Sequence, residues 1–213
     1  MPIAKKKPPI KETVGSQYIC FNTMTEDGEW TKEFETEVEQ TDVVKNVSVT
    51  ENMTAQPIYS SGVLYDTVNE TPSTDIEVEV IAFPDTTLHK MRGDLIDKGG
   101  LILSGGSGEG RKRPYFAYGK VVKLQGGKIR YDWYPKCKLS ENTDEAATKE
   151  ESFSEQTDTI KITAYPFNDA GDIVAKVSSE VNFPEGLTEE KFFAKPILTK
   201  EDLATATGNT GGH

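Results

Sequence analysis

Strict alternation of apolar and polar positions marks the clearest elements of the chain. From Lys32 to Val38, Phe34, Thr36 and Val38 fall on one side and Glu33, Glu35 and Glu37 on the other. A period of two is what a strand with one buried face requires. From Asp75 to Val80 the pattern repeats, with Ile76, Val78 and Val80 opposed to Glu77 and Glu79. Tyr18–Asn22, the run through Val47 and Val49, and Tyr59–Tyr65 read as shorter strands. Tyr115–Leu124 and Lys128–Leu139 flank Gln125-Gly126-Gly127, a hairpin signal. In the second of these, Ile129, Tyr131 and Trp133 oppose Lys128, Arg130 and Asp132. Ser152–Tyr165 and Ile173–Phe183 predict two more strands around a turn at Asn168–Gly171.

Helical spacing is rarer. Leu88, Met91 and Leu95 share one face of a predicted helix over Asp85–Asp97, with Asp85 or Thr86 at its start and Gly99-Gly100 at its end. His89 lies on this helix and reads as solvated. Thr188–Ala194 predicts a short helix that must bury Phe192 and Phe193. Residues 1–16, with Lys5–Lys7 and Pro8-Pro9, read as an extended N-terminal arm. Ser104–Pro114 reads as a flexible Gly-rich loop, 140–151 as a polar loop, and 195–213 as a polar C-terminal tail. The expectation is one mainly β domain over 17–194, an antiparallel β-sandwich or barrel with one flanking α-helix.

Composition supports strands, since β-branched and aromatic residues outnumber Ala, Leu and Met. At 35% hydrophobic residues the core is modest, so some segments are expected to complete their burial on a partner. The net charge of −11 argues against a general nucleic-acid binder, which needs a cationic face. No window approaches the length of a membrane span, and the N-terminal lysines precede no apolar stretch of a secretory signal.

Candidate chemistry is sparse. Cys20 and Cys137 form no disulfide framework or metal cluster, and each reads as a small buried apolar group in a strand. His89 and His213 are the only histidines. The Gly-rich loop lacks the Lys-Ser/Thr pair and following helix of a phosphate loop, and its Gly106-x-Gly108-x-Gly110 spacing is not the dinucleotide one. No glutamate pair is singled out as a glycosidase dyad, and no serine sits in a G-x-S-x-G elbow. No enzyme activity and no cofactor are expected.

One long segment resembles a known family. Pro114-Tyr-Phe-Ala-Tyr-Gly-Lys-Val121, then Gly126-Gly-Lys-Ile-Arg-Tyr-Asp-Trp-Tyr-Pro-Lys-Cys-Lys-Leu139, lead into Thr148-Lys-Glu-Glu-Ser-Phe-Ser-Glu-Gln-Thr-Asp-Thr-Ile160. Together with Leu64-Tyr65-Asp66 and Ile76–Phe83, they resemble the major tail proteins, or tail tube proteins, of long-tailed non-contractile phages of Gram-positive bacteria. The resemblance covers roughly 60–183 and is weaker at the termini. It implies a β-sandwich-like fold shared with the tube protein of type VI secretion. It also implies a virion protein assembled in the host cytoplasm into stacked hexameric rings. The lumen would hold a tape measure protein during assembly and pass DNA, without specific binding, during ejection. The tube would end on a tail terminator and a distal tail protein.

Within that expectation, Glu33, Glu35 and Glu37 or Glu77 and Glu79 are candidates for an acidic lumen wall that repels phosphates. Gly105, Gly106, Gly108 and Gly110 with Arg111, Lys112 and Arg113 are candidates for contacts between rings. The competing readings are a monomeric β-sandwich binding module of a baseplate or adhesin, and a carbohydrate-active enzyme.

Overall fold

Strand pairing begins at Lys11, inside the segment expected to be an arm. The computed structural model describes residues 7–104, 112–143 and 157–208, apart from the side chains of 54–56, 64 and 66–72. Its strands are β1 Lys11–Phe21, β2 Glu39–Thr41, β3 Val44–Ser60, β4 Val63–Val80, β5 Leu95–Ile96, β6 Ile102–Leu103, β7 Phe116–Leu124, β8 Lys128–Thr143, β9 Asp158–Ala164 and β10 Ala175–Ser178. The helices are α1 Asp85–Arg92, α2 Glu189–Phe193 and α3 Lys200–Thr207. The large sheet is antiparallel and runs β2-β1-β7-β8-β9-β4-β3, with β10 also on β8. The fold is mainly β, as expected.

β8 is the hinge of this architecture. Its first half, residues 130–133, pairs with β10, and its second half, 137–143, pairs with β9. Between them sits Pro135, opposite a register break in the β7–β8 ladder. Proline has no N–H to give a central strand, so it belongs at such a bulge, where the strand bends. The bend folds the sheet over an inner core of Ile19, Phe21, Ile76, Val78, Phe116, Tyr118, Tyr134, Leu139, Ile160 and Ile162, all buried. Met91 of α1 closes one end of it.

The opposite face of β1, β7 and β8 is covered as well. Tyr18, Cys20, Ala117, Val121, Tyr131 and Trp133 pack beneath Phe192 and Phe193 of α2, with Leu187 and Ile197. Phe193 stacks on Tyr18 with ring centroids 3.9 Å apart. The Tyr18 hydroxyl donates to Glu189 at 2.6 Å, and the Trp133 indole donates to the Phe192 carbonyl at 3.0 Å. This packing needs a glycine at 119, because a Cβ there would sit 2.7 Å from the Phe193 ring.

Several expectations are corrected. The alternating run Lys32–Val38 is not a strand: Phe34 forms an isolated bridge to Asn22 and is buried, while the flanking residues follow an irregular path. The reason lies in side-chain capture of its backbone, since Asn22 donates to the carbonyls of Thr31 and Glu33 and accepts from Thr31 N–H. The helix expected to reach Asp97 stops at Arg92. Gly93 adopts φ 69° and its N–H returns to the carbonyls of His89 and Lys90. A Cβ at 93 would also meet the Lys112 carbonyl at 2.8 Å. Leu95 therefore joins a small strand instead. Pro84 occupies the N-cap, with no side-chain cap from Asp85 or Thr86. β8 continues through Thr143 into the segment expected to loop. The segment expected to be a polar tail contains α3, whose Thr199–Asp202 capping box fixes its start, and Leu203 packs on the outer core. The first part of the strand expected over Ser152–Tyr165 lies outside the described residues.

Candidate functional site

β3 and β4 run far beyond the sheet that anchors them. β4 pairs with β9 only over Thr74–Val80, whereas its ladder with β3 continues to Ser60 and Val63. Residues 52–73 therefore form a two-stranded ribbon, about 30 Å long at the rise of a strand. Asn52 fastens its base, donating to Ser73 Oγ at 3.1 Å and Asp75 Oδ2 at 2.9 Å. Ser61-Gly62 makes the tip, both at positive φ. Met53, Ile58, Tyr59, Val63 and Tyr65 are exposed along it, Tyr65 to 78%. An isolated two-stranded ribbon is marginal in water, and an edge with apolar side chains is a template for another chain.

A second apolar surface follows α1. Among the described residues β5 and β6 pair only with each other, and Leu95, Ile96, Leu101, Ile102 and Leu103 are all exposed. The sequence spacing assigns Leu95 to a helix face instead.

The outer face of β3, β4, β9 and the end of β8 is polar. Ser48, Thr50, Asp75, Glu77, Ser140, Glu141, Lys161 and Thr163 line a shallow depression on it. Lys161 pairs with Glu141 at 2.8 Å, and Thr163 donates to Asp75 at 3.1 Å. Glu77 and Glu79 stand on this face, opposite the buried Ile76, Val78 and Val80. Glu33, Glu35 and Glu37 do not join them. They are exposed beside the β1 edge, where Glu35 pairs with Lys90 of α1 at 2.6 Å and the carbonyls of Glu35 and Glu37 accept from the Cys20 thiol. Because β1 and β4 are separated by β7, β8 and β9, the two glutamate rows belong to different surfaces.

Of the ring-contact candidates, Gly105, Gly106, Gly108, Gly110 and Arg111 lie outside the described residues. Lys112 donates to the Asp27 carbonyl. Arg113 donates to the carbonyls of Leu139 at 2.7 Å and Ser140 at 2.9 Å, so both cations are engaged within the chain. The lysines of the Tyr-Pro-Lys-Cys-Lys block cover aromatic rings. Lys138 Nζ lies 4.0 Å from the Tyr115 centroid and Lys136 Nζ 5.2 Å from that of Trp30.

Two groupings have the residue types of catalysis. His89 is not the solvated residue expected: its Nδ1 lies 2.7 Å from Asp94 Oδ2. Ser104 also donates to Asp94 Oδ2, at 2.7 Å. Burial works against the Asp94 carboxylate, yet the His89 and Ser104 hydrogen bonds outweigh it and hold its carboxyl below the usual range. A serine bonded to the carboxylate rather than to the imidazole is not activated, so this trio ties α1 to the following turn. Burial, reinforced by Glu35, pushes the Cys20 thiol up to about 12, and burial raises Cys137 too. Both are protonated thiols with no exposed surface. Among the described residues no group of three His, Cys, Asp or Glu is placed to hold a metal ion, and no helix is long and apolar enough to cross a membrane.

The ribbon is the functional feature that the sequence reading missed. A signal was present, since Ser61-Gly62 between Tyr59 and Tyr65 is a turn dipeptide within what reads as one strand.

No protein-family model matches the chain, and no curated protein matches it. Among solved structures, a chain of the 6-fold symmetrised cryo-EM structure of the anti-feeding prophage baseplate aligns with 81% of this chain and 97% of its own length. The identity is 10% and the TM-score 0.39, a likeness too loose to fix either fold or function.

Proposed function

We propose that the chain is a structural subunit of a phage tail, which assembles with copies of itself into stacked hexameric rings forming a tube for DNA ejection. The observation that carries this reading is the ribbon of residues 52–73, which among the described residues pairs only with itself and exposes Met53, Ile58, Tyr59, Val63 and Tyr65. Such a ribbon is stabilised when a second copy supplies the face it lacks. The β5–β6 hairpin offers a second surface of the same kind.

In this reading the polar face of β3, β4 and β9 lines the lumen. Among the described residues, Asp75, Glu77, Glu79 and Glu141 there outnumber Lys161 and Lys138, in a field of Ser and Thr. A wall with an acidic excess repels phosphates, and its Lys161 is already paired with Glu141. The tape measure protein, the tail terminator and the distal tail protein are the partners that the reading implies.

The test is sedimentation velocity of the concentrated full chain beside a Tyr59→Ser/Val63→Ser/Tyr65→Ser variant. The reading expects large assemblies for the unaltered chain and monomers for the variant, with unchanged secondary structure. Assemblies of equal size in both would remove the ribbon from the interface. A monomer at every concentration would favour the alternative, a binding module of a baseplate or adhesin.

A further inference from the structure

Three strands of the large sheet place polar side chains in one row on the side of the inner core. Register aligns Gln17 of β1 with Lys120 of β7, and Lys120 with Asp132 of β8. Directly opposite side chains start about 5 Å apart, so the row is one polar cluster. A register shift in β1 between Val14 and Gln17 sets the alignment. All three residues are buried, Gln17 at 0%, Lys120 at 5% and Asp132 at 1% exposure. Each keeps hydrogen-bonding capacity that the chain does not use. Gln17 Nε2 donates to Thr41 Oγ1 at 2.8 Å, but among the described residues Oε1 has no donor. Arg130 donates to Asp132 Oδ2 from Nε at 3.2 Å and from Nη2 at 3.0 Å. Asp132 Oδ1 lies 3.0 Å from Arg130 Nε but off the line of its N–H, and takes no hydrogen bond. Asp132 is the counter-charge of Lys120, yet Lys120 Nζ stands 3.8 Å from Oδ2, beyond direct hydrogen-bond reach. Among the described residues this ammonium donates no hydrogen bond.

A donor and two acceptors thus share one row without meeting, and each buried polar group left unpaired costs stability. An anion there would face the oxygens of Gln17 and Asp132, and a cation would face Lys120. A neutral molecule that both accepts and donates suits all three. Lys120 also borders a pocket of about 310 Å³ beside Val14, Val47 and Val122, which gives solvent a path to the row. We propose that the row binds one ordered water, which accepts from Lys120 Nζ and donates to Gln17 Oε1 and Asp132 Oδ1. Three polar partners are what a buried water typically has, and a polar separation of 3.8 Å is one that water bridges. The ion pair of Lys120 and Asp132 is then mediated by water. The same water joins β1 to β8 across β7, next to the register shift where the β1 ladder is interrupted. It also favours the observed register, because a slip of one residue in β1 would carry Gln17 to the apolar outer face. The inference concerns the single chain and stands whether or not rings form.

The experiment counts long-lived internal waters in the dispersed full chain by oxygen-17 magnetic relaxation dispersion, and locates them in a crystal structure that resolves ordered water. The map should show a water within about 3.2 Å of Lys120 Nζ, Gln17 Oε1 and Asp132 Oδ1. Gln17→Met and Lys120→Met each remove one of its partners, and each should lower the dispersion amplitude by one water. Thr41→Val removes the other hydrogen bond of Gln17 and should leave the amplitude unchanged. Should Gln17→Met or Lys120→Met fail to fold, the map of the unaltered chain decides. A direct hydrogen bond from Lys120 to Gln17 or Asp132 with no water between them overturns the proposal. So does an amplitude that survives both methionine variants, or one that falls equally in Thr41→Val.

Discussion

The sheet around β7 and the ribbon of β3 and β4 are made from the same antiparallel ladder, yet they differ in what covers them. β7 is buried on both faces, by the inner core on one side and by α2 on the other. Among the described residues, no third strand pairs with the ribbon over 52–73. Backbone hydrogen bonds are alike in the two regions, so the ladder does not distinguish them. Burial does, because a hydrogen bond contributes little net stability whereas each buried aromatic side chain contributes several kcal/mol. The first region holds the subunit together. In the proposed assembly, the second is an element whose stabilisation is left to another copy.

Substitutions can break this contrast, beginning in the covered region. Phe193→Ala removes the ring that stacks on Tyr18 and contacts Trp133. It should lower unfolding free energy by about 3–5 kcal/mol in a denaturant titration. A loss below 1 kcal/mol, well under that range, would show that α2 is only loosely seated.

Lys120 tests the same region through pH. With the pKa depressed from 10.5 to about 8, the unfolded chain binds the extra proton between these values, so stability rises with pH across that window. Below pH 8 the full cost, about 3 kcal/mol, is present. The charged and titratable groups around Lys120 are Asp132, Arg130 and Tyr134 of β8, Lys11 and Glu12 of β1, Lys45 of β3 and Lys176 of β10. Comparison with Lys120→Met cancels the thiols and tyrosines common to both chains. The unaltered chain should gain on the variant as pH rises from 8 towards 10.5, and parallel curves would contradict the assignment.

Gly119→Ala is a gentler probe, forcing a methyl group against Phe193. It should destabilise by about 1–3 kcal/mol, and Phe193→Ala should suppress that penalty in the double variant. The smallest effect on stability belongs to the ribbon. Tyr59→Ser, Val63→Ser and Tyr65→Ser should each change unfolding free energy by no more than about 0.5 kcal/mol, because their side chains are mostly exposed. A large loss there would mean that the ribbon packs on its own chain.

The covered region was legible in the sequence because its rules are local. Alternation through Ile76, Val78 and Val80 gave β4 its buried face, and Gln125-Gly126-Gly127 gave the β7–β8 hairpin. Alternation alone misled at Phe34, where Asn22 captures the backbone that a ladder would use. Helical spacing misled at Leu95, because Gly93 stops the helix well over a turn earlier than Gly99-Gly100. The ribbon was hidden for a deeper reason. Its first strand runs Asn-Met-Thr-Ala-Gln-Pro from 52 to 57, so no amphipathic pattern marks it, and apart from Met53 the exposed apolar residues gather near the tip. Lys120 and Asp132 were equally hidden, since their approach depends on register between β7 and β8.

Electron cryomicroscopy of the concentrated full chain tests the central claim most directly. The account predicts rings or tubes of sixfold symmetry, in which residues 52–73 lie against a neighbouring copy with Tyr59, Val63 and Tyr65 buried between them. Assemblies that leave the ribbon in solvent, or particles that remain single subunits throughout, would contradict it.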